Sequence, residues 1–483
     1  MLNSAFLRRT IALPVLLGGA ACHRGPGARV GEPTVGALLD GDACAVATTS
    51  SSLASSAIAD PLVTFDTAWA IIARSHWDTT YNGVNWRALR DTLRPRAAAA
   101  KTTGELRTVL SEMIGRLKQS HFSIIPREVS DVASSATKTS VREDRNGAVG
   151  ITLRYVNREI LVTHVRVGSS AARAGVLPGW SVQAVNGCAL SARLSRIPKD
   201  MESRRVALTA FSLATRALSG PVGDTVRVVF LDGAGASHLL PIAREIEPGV
   251  ITRFGNLPPQ NAHLEFERIR QGARTIGVIR FNIWMPVLVA PFSAAMDALR
   301  DTDGIVLDLR GNFGGVGGMS MGIAGHFLDS AKTIGTMHQR GATLHFVANP
   351  QLVDSHAQLV TPYAGPLALV VDELSISTTE IFAGGLKELG RARVFGTQTA
   401  GQALPSVPER LPNGDVLYHA IADFVSPSGK QVEGEGVIPN VPTPLTRKAL
   451  SSGRDPAMEA AVQWIASMAK RSAKTVPNHG SMP

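Results

Sequence analysis

The sequence predicts an α/β protein, a layered core of buried strands and helices that follows a helical segment and a small β-rich domain. Three observations predict it. From about residue 246 onward, short apolar β-branched runs alternate with stretches of helical period. Between 141 and 245, strand-like runs are punctuated by Gly, Pro and Asn turns. Residues 61–125 place apolar side chains at helical spacing.

The chain has 483 residues, enough for two to four domains. Residues 1–21 read as an export signal: Arg8 and Arg9, a short apolar run from Ile11 to Leu17, then small residues. Cys22 follows directly. It is either the lipid-attachment site of a bacterial lipoprotein or the start of a simply cleaved secreted chain. The expected location is therefore outside the cytoplasm, periplasmic or membrane-anchored. Residues 22–60 are rich in Gly, Ala, Ser and Thr and read as a linker. Over 61–127, Trp69, Ile72 and His76 mark one helix. Leu106, Leu110, Met113 and Leu117 mark a second, opened by Thr102 and Glu105 and ending near Ser120-His121. Residues 141–245 hold strands at 149–153, 160–167 and 226–231, a short helix closed by Gly175, and a turn, strand and hairpin turn over 178–187. Residues 246–470 alternate strand and helix as far as a final helix opened by Asp455 and Pro456. Residues 471–483 read as a disordered tail.

The formal charge of +10 comes from arginines spread along the chain, with no basic block and no RNA-binding aromatic signature, so nucleic acid is not an expected partner. Twelve scattered histidines and three cysteines show no metal-ligand spacing. No metal or other cofactor is expected, nor a structural disulfide between Cys44 and Cys188.

Two glycine-flanked segments carry the chemistry, GIVLDLRGNFGG at 304–315 and LVVDELSISTTE at 369–380. Each is an apolar run that stops abruptly at small polar residues. A buried strand ending this way holds backbone N–H groups and a hydroxyl at one sheet edge. Acyl transfer needs that arrangement: a nucleophile, and donors aimed at a developing oxyanion. Ser377 reads either as a helix N-cap or as a nucleophile facing the positive end of a helix dipole. An N-cap needs no partner loop, and the first segment supplies one. The N–H of Thr378 and the turn at Gly314 and Gly315 are then the candidate oxyanion donors.

With SISTTEIFAGGLKELGRARVFGTQTAG and LPNGDVLYHAIADFVSPSGKQVEGEGVIPN added in order, residues 61–460 resemble the serine peptidases that unite carboxyl-terminal processing proteases with the tricorn core protease. The resemblance implies a PDZ-like domain at 141–245, a crotonase-like (ClpP/crotonase) α/β core, and Ser377 as nucleophile. One branch carries a lysine base in a Thr-Phe-Gly-Lys turn. Here the turn is Thr399-Ala400-Gly401-Gln402, and glutamine cannot take a proton. The tricorn-like branch instead uses a histidine that follows a serine ahead of the PDZ domain, a place held by Ser120-His121. This implies His121 as general base, suited by an unperturbed pKa of about 6.5. Ser120 would orient it, with Glu433, or in reserve Glu435, completing the network. The rival reading of His121 is a helix-end histidine satisfying terminal carbonyls, and Lys430 is a remote alternative base. The implied activity is a serine endopeptidase acting on unfolded or C-terminal peptide segments through an acyl-enzyme. The alternatives are a non-catalytic peptide- or lipid-binding protein on the same fold, and acyl-CoA chemistry, which an export signal disfavours. Because His121 precedes Ser377 by more than 250 residues, domain closure on peptide is expected to gate the site.

Overall fold

The computed structural model describes residues 60–131 and 146–468. The export signal, Cys22, Cys44 and the C-terminal tail lie outside them. Among the described residues no helix is long and apolar enough to cross a membrane.

Three helices open the fold: α1 (Pro61–Ser75), α2 (Trp86–Ala99) and α3 (Thr103–Gly115). Asp60 caps α1 by accepting the N–H groups of Leu62 and Val63, with Pro61 in the first turn where no amide hydrogen is needed. Phe65, Ala68 and Ile72 pack on Leu93, Leu106, Leu110 and Met113, the stripe that the sequence marks. The second expected helix stops at Gly115, five residues short of Ser120, because the chain enters the left-handed region at Lys118 (φ 53°) and His121 (φ 60°). It then forms strand β1 (Ser123–Ile125).

The middle domain carries β2 (Ile151–Val156), β3 (Glu159–Val165), β4 (Ser181–Val185), helix α4 (Ser203–Leu218), β5 (Thr225–Leu231) and β6 (Ser237–Ala243). The strands pair antiparallel in the order β2-β3-β4-β5-β6, and α4 packs beside the edge strand β2.

The core follows as β7 (Leu264–Gln271), β8 (Arg274–Phe281), α5 (Val289–Leu299), β9 (Gly304–Asp308) and α6 (Gly317–Gly325). Then come β10 (Lys332–Gln339), β11 (Ala342–Ala348), β12 (Leu367–Val371), α7 (Thr378–Glu388) and β13 (Arg393–Gly396). The chain closes with β14 (Ser406–Arg410), β15 (Val416–Ala420), β16 (Ala422–Val425), β17 (Val441–Pro442), α8 (Arg447–Ser451) and α9 (Pro456–Ser467). The main sheet runs β7-β8-β9-β12-β13-β17, parallel except for the β7–β8 hairpin.

Strands β9 and β12 are buried on both faces, which is why they read as unbroken apolar runs. Ile305, Leu307, Leu367 and Leu369 point into the layer of Phe292, Ile323 and Phe382 from α5, α6 and α7. The alternate residues Val306, Ala368 and Val370 meet Ala461, Val462 and Ile465 of α9 on the other face. The loops 309–316, 372–377 and 397–403 leave the carboxyl ends of neighbouring parallel strands, where open α/β sheets build their sites.

At its site end the helical segment is paired to the core. β1 pairs with β15 of the core in the register Ser123 to Tyr418, Ile124 to Leu417 and Ile125 to Val416. Leu411 and Leu417 complete the core beneath α1–α3.

Candidate active site

Ser377 sits at the turn between β12 and α7 with φ 58° and ψ −118°, a conformation costly for a residue bearing a Cβ. Surrounding contacts hold it there. Its N–H lies 2.9 Å from the carbonyl of Gln402 and 3.0 Å from Oε2 of Glu380. The preceding N–H, of Ile376, donates to the carbonyl of Asn312 at 3.0 Å, and the Thr379 hydroxyl donates to the same oxygen at 3.0 Å. Between Leu374 and Leu386, Ser377 is the one residue that is not buried. The elbow therefore presents a single side chain.

The 309–316 loop lies directly against it. A Cβ placed on Gly314 (φ 86°) would fall 2.7 Å from Cβ of Ser377 and 3.1 Å from the nitrogen of Thr378, so only glycine allows this approach. The N–H of Gly314 donates to Oδ1 of Asn312 at 3.1 Å. That amide is engaged, which leaves Gly315 as the donor candidate of the pair. Gly315 bridges to Trp284, but the two bridge bonds use the N–H groups of Trp284 and Val316 and not its own. Its carbonyl accepts the Thr378 hydroxyl at 3.0 Å. Thr378 opens α7, and its N–H has no intrahelical carbonyl to meet. Asn312 is fully buried and donates to the carbonyl of Phe281 at 2.9 Å, tying the loop to β8.

Ser120, His121 and Glu433 come together. The N–H and the hydroxyl of Ser120 both reach the Glu433 carboxylate, at 2.9 Å each, and Oγ of Ser120 lies 2.7 Å from Nδ1 of His121. A carboxylate only accepts, so the Ser120 hydroxyl donates to it and must accept from Nδ1–H. That fixes the tautomer and leaves Nε2 unprotonated. The ring is thus not occupied with helix-end carbonyls. Nor does it keep an ordinary affinity for protons, because burial lowers its pKa to about 4. The imidazole is neutral throughout the neutral range. The Tyr418 ring lies 5.8 Å from it, tilted. Among the described residues no hydrogen bond joins Oγ of Ser377 to His121. Glu435, the reserve choice, is exposed and contributes only its carbonyl, which accepts from Arg204 and Gln398. Lys430 is exposed in its turn.

The segment 399–403 joins the two halves. The N–H groups of Gly401 and Gln402 donate to Glu380, at 2.7 and 3.0 Å, and that of Ala403 donates to Glu433 at 3.0 Å. Gln402 thus acts through its backbone, and its side chain makes none of these bonds. Gln402→Ala is expected to keep peptidase activity within about threefold, since a surface substitution without partners stays within roughly 0.5 kcal/mol. Steady-state rates on one peptide substrate check this.

Asn312 and Glu380 are functional neighbours that the sequence reading did not single out. The signal for Glu380 was present, since a glutamate three residues after a helix-opening serine has the capping-box spacing.

A strand-end hydroxyl beside glycine amides at the main sheet edge, and a tautomer-fixed imidazole in the Ser120–His121 segment, are the groups that acyl transfer uses. Residues 275–443 match peptidase family S41, and residues 59–115 match the tricorn protease C1 domain. The chain thus carries a peptidase family S41 domain and a tricorn C1 domain, on a mixed α/β fold. It is 25% identical over 385 residues to the chloroplastic carboxyl-terminal-processing peptidase 2 of Arabidopsis thaliana, covering 78% of this chain and 68% of that one. It is 23% identical over 404 residues to the carboxyl-terminal-processing protease of Synechocystis sp., covering 82% and 85%. Among solved structures, the photosystem II D1 C-terminal processing protease shares the fold with a TM-score of 0.55 at 20% identity, covering 84% of this chain and 97% of that one.

Proposed function

We propose that this peptidase hydrolyses C-terminal or unfolded peptide segments through an acyl-enzyme formed on Ser377. Oγ of Ser377 attacks the scissile carbonyl carbon, and Nε2 of His121 takes its proton. The N–H groups of Thr378 and Gly315 stabilise the resulting oxyanion. The imidazolium returns the proton to the leaving amine, and a water then repeats the sequence to release the acid. Glu433, acting through Ser120, supports the imidazolium while it carries the extra proton. The observation that carries this reading is the Glu433–Ser120–His121 chain, which leaves the ring one free lone pair in a protein whose 402 position holds no lysine.

The relatives are named for processing carboxyl termini, which supports a chain-end substrate. The middle domain supports it too. We read it as PDZ-like, with an edge strand (β2) beside a helix (α4), the setting in which such domains add a peptide as a further strand. Export, with Cys22 as lipidation site or simple cleavage at the same point, places the enzyme in the periplasm or on a membrane.

A fluorophosphonate probe tests the chemistry. Digestion and mass spectrometry are expected to place the adduct on the peptide containing Ser377. An unlabelled, folded protein would leave the fold as a non-catalytic peptide- or lipid-binding scaffold.

A further inference from the structure

Glu380 is fully buried and accepts four hydrogen bonds: from the Thr399 hydroxyl (2.6 Å) and from the N–H groups of Gly401 (2.7 Å), Gln402 (3.0 Å) and Ser377 (3.0 Å). Three of the four are amides, which can only donate, and the Thr399 hydroxyl, which also accepts the N–H of Val437 at 2.7 Å, supplies the fourth. The pocket is therefore built for an acceptor-only group. It joins the nucleophile's backbone to the 399–403 turn, whose next amide, at Ala403, is held by the carboxylate that serves His121.

We infer that Glu380 is a positioning residue, whose ionised carboxylate holds Ser377 in its elbow and in register with the turn that leads to the base, and that its protonation releases the nucleophile. This rests on the reading of Ser377 and His121 given above.

The environment places that protonation in the working range. Burial raises the Glu380 pKa to about 7, opposed by the four donors. The charged groups nearest the turn are Glu433, on Ala403, and Arg204 of α4. Arg204 donates to the carbonyls of Thr399, Gly434 and Glu435, and one of its nitrogens would lie 3.0 Å from a Cβ on Gly401. On α7 itself the nearest cation is Lys387, which donates to the carbonyl of Ile438. The sign follows. A raised pKa means that Glu380 gains its proton as pH falls through about 7, whereas His121 stays neutral down to about 4. With His121 neutral in this range, the acid limb is expected from a carboxylate, Glu380 or Glu433, whose pKa burial also raises, and Glu380→Gln tells the two apart.

The test is the second-order rate of fluorophosphonate labelling of the full chain from pH 4 to 9, with kcat and KM on a peptide. Wild type is expected to show an acid limb with its midpoint near 7. Glu380→Gln puts an amide NH2 against two of the donors. It is expected to lower kcat by about 10²-fold with little change in KM, and to flatten the limb. Glu380→Asp is expected to restore part of kcat and a limb. A wild-type limb with its midpoint near 4, or a limb unchanged in Glu380→Gln, overturns the positioning role and leaves His121 standing. Unchanged labelling in His121→Asn would instead remove the base assignment beneath it.

Discussion

Replacing His121 with alanine is expected to reduce peptide hydrolysis by roughly 10⁴-fold or more, the scale seen when a serine hydrolase loses the group that manages its proton. The loss should fall on kcat and on Ser377 labelling together, because the ring touches no ground-state binding surface in this mechanism. What survives is the contribution of the amides at Thr378 and Gly315 and of substrate binding. His121 also occupies the left-handed region at φ 60°, where alanine is strained by about 1 kcal/mol. His121→Asn is the matched control, since asparagine tolerates that conformation but supplies no base. Both variants should be inactive, and the asparagine variant should melt close to wild type. A variant that melts normally and retains more than about a tenth of wild-type kcat would remove His121 from the proton path. Full activity would direct attention to a water-mediated base.

How much of this arrangement was legible before the fold was known depended on whether a residue's role is local. The strands at 304–308 and 367–371 and the helices beside them read correctly, because burial on both faces leaves continuous apolar runs between period-3.6 segments. The close approach of the Gly314-Gly315 turn to Ser377 was legible as two strand-end runs of small residues on one sheet. The helix Ser203–Leu218 was not. Its buried face is Ala207, Ala210, Ala214 and Leu218, a stripe of small side chains with weak apolar contrast inside a strand-rich stretch. The link from Ser120 to Glu433 crosses 313 positions and leaves no local trace, so it entered only through resemblance. Glu380 had the spacing of a cap, which concealed its bonds to Gly401 and Gln402. The attachment of the helical segment to the core was hidden for a related reason. Strand β1 is too short, at three residues, to announce itself, yet its pairing with β15 fixes the segment that carries His121.

The second large effect is expected far from the nucleophile's side chain, at Arg154 on the edge strand of the middle domain. Its guanidinium is buried and pairs through Nε with Asp372, five positions before Ser377. The other oxygen of Asp372 accepts the N–H of Gly311 at 2.9 Å and that of Leu374 at 3.0 Å. One carboxylate thus ties the oxyanion loop to the nucleophile loop, and Arg154 supplies its countercharge from another domain. The fit is close: a Cβ on Gly311 would come within 2.6 Å of an Arg154 nitrogen. Arg154→Ala leaves a buried carboxylate uncompensated, a change that costs roughly 3–5 kcal/mol. The expected result is a melting temperature lowered by several degrees, with slower Ser377 labelling, because Asp372 then draws in water and loosens both loops. Pairing Arg154→Met with Asp372→Asn should recover most of the stability. Asparagine keeps an acceptor for Gly311 and Leu374 while removing the charge, so the coupling in this double-mutant cycle should exceed about 1 kcal/mol. Additive losses would mean that the two side chains act independently. Unchanged labelling in Arg154→Ala would mean that the middle domain grips the core without setting the geometry of its loops.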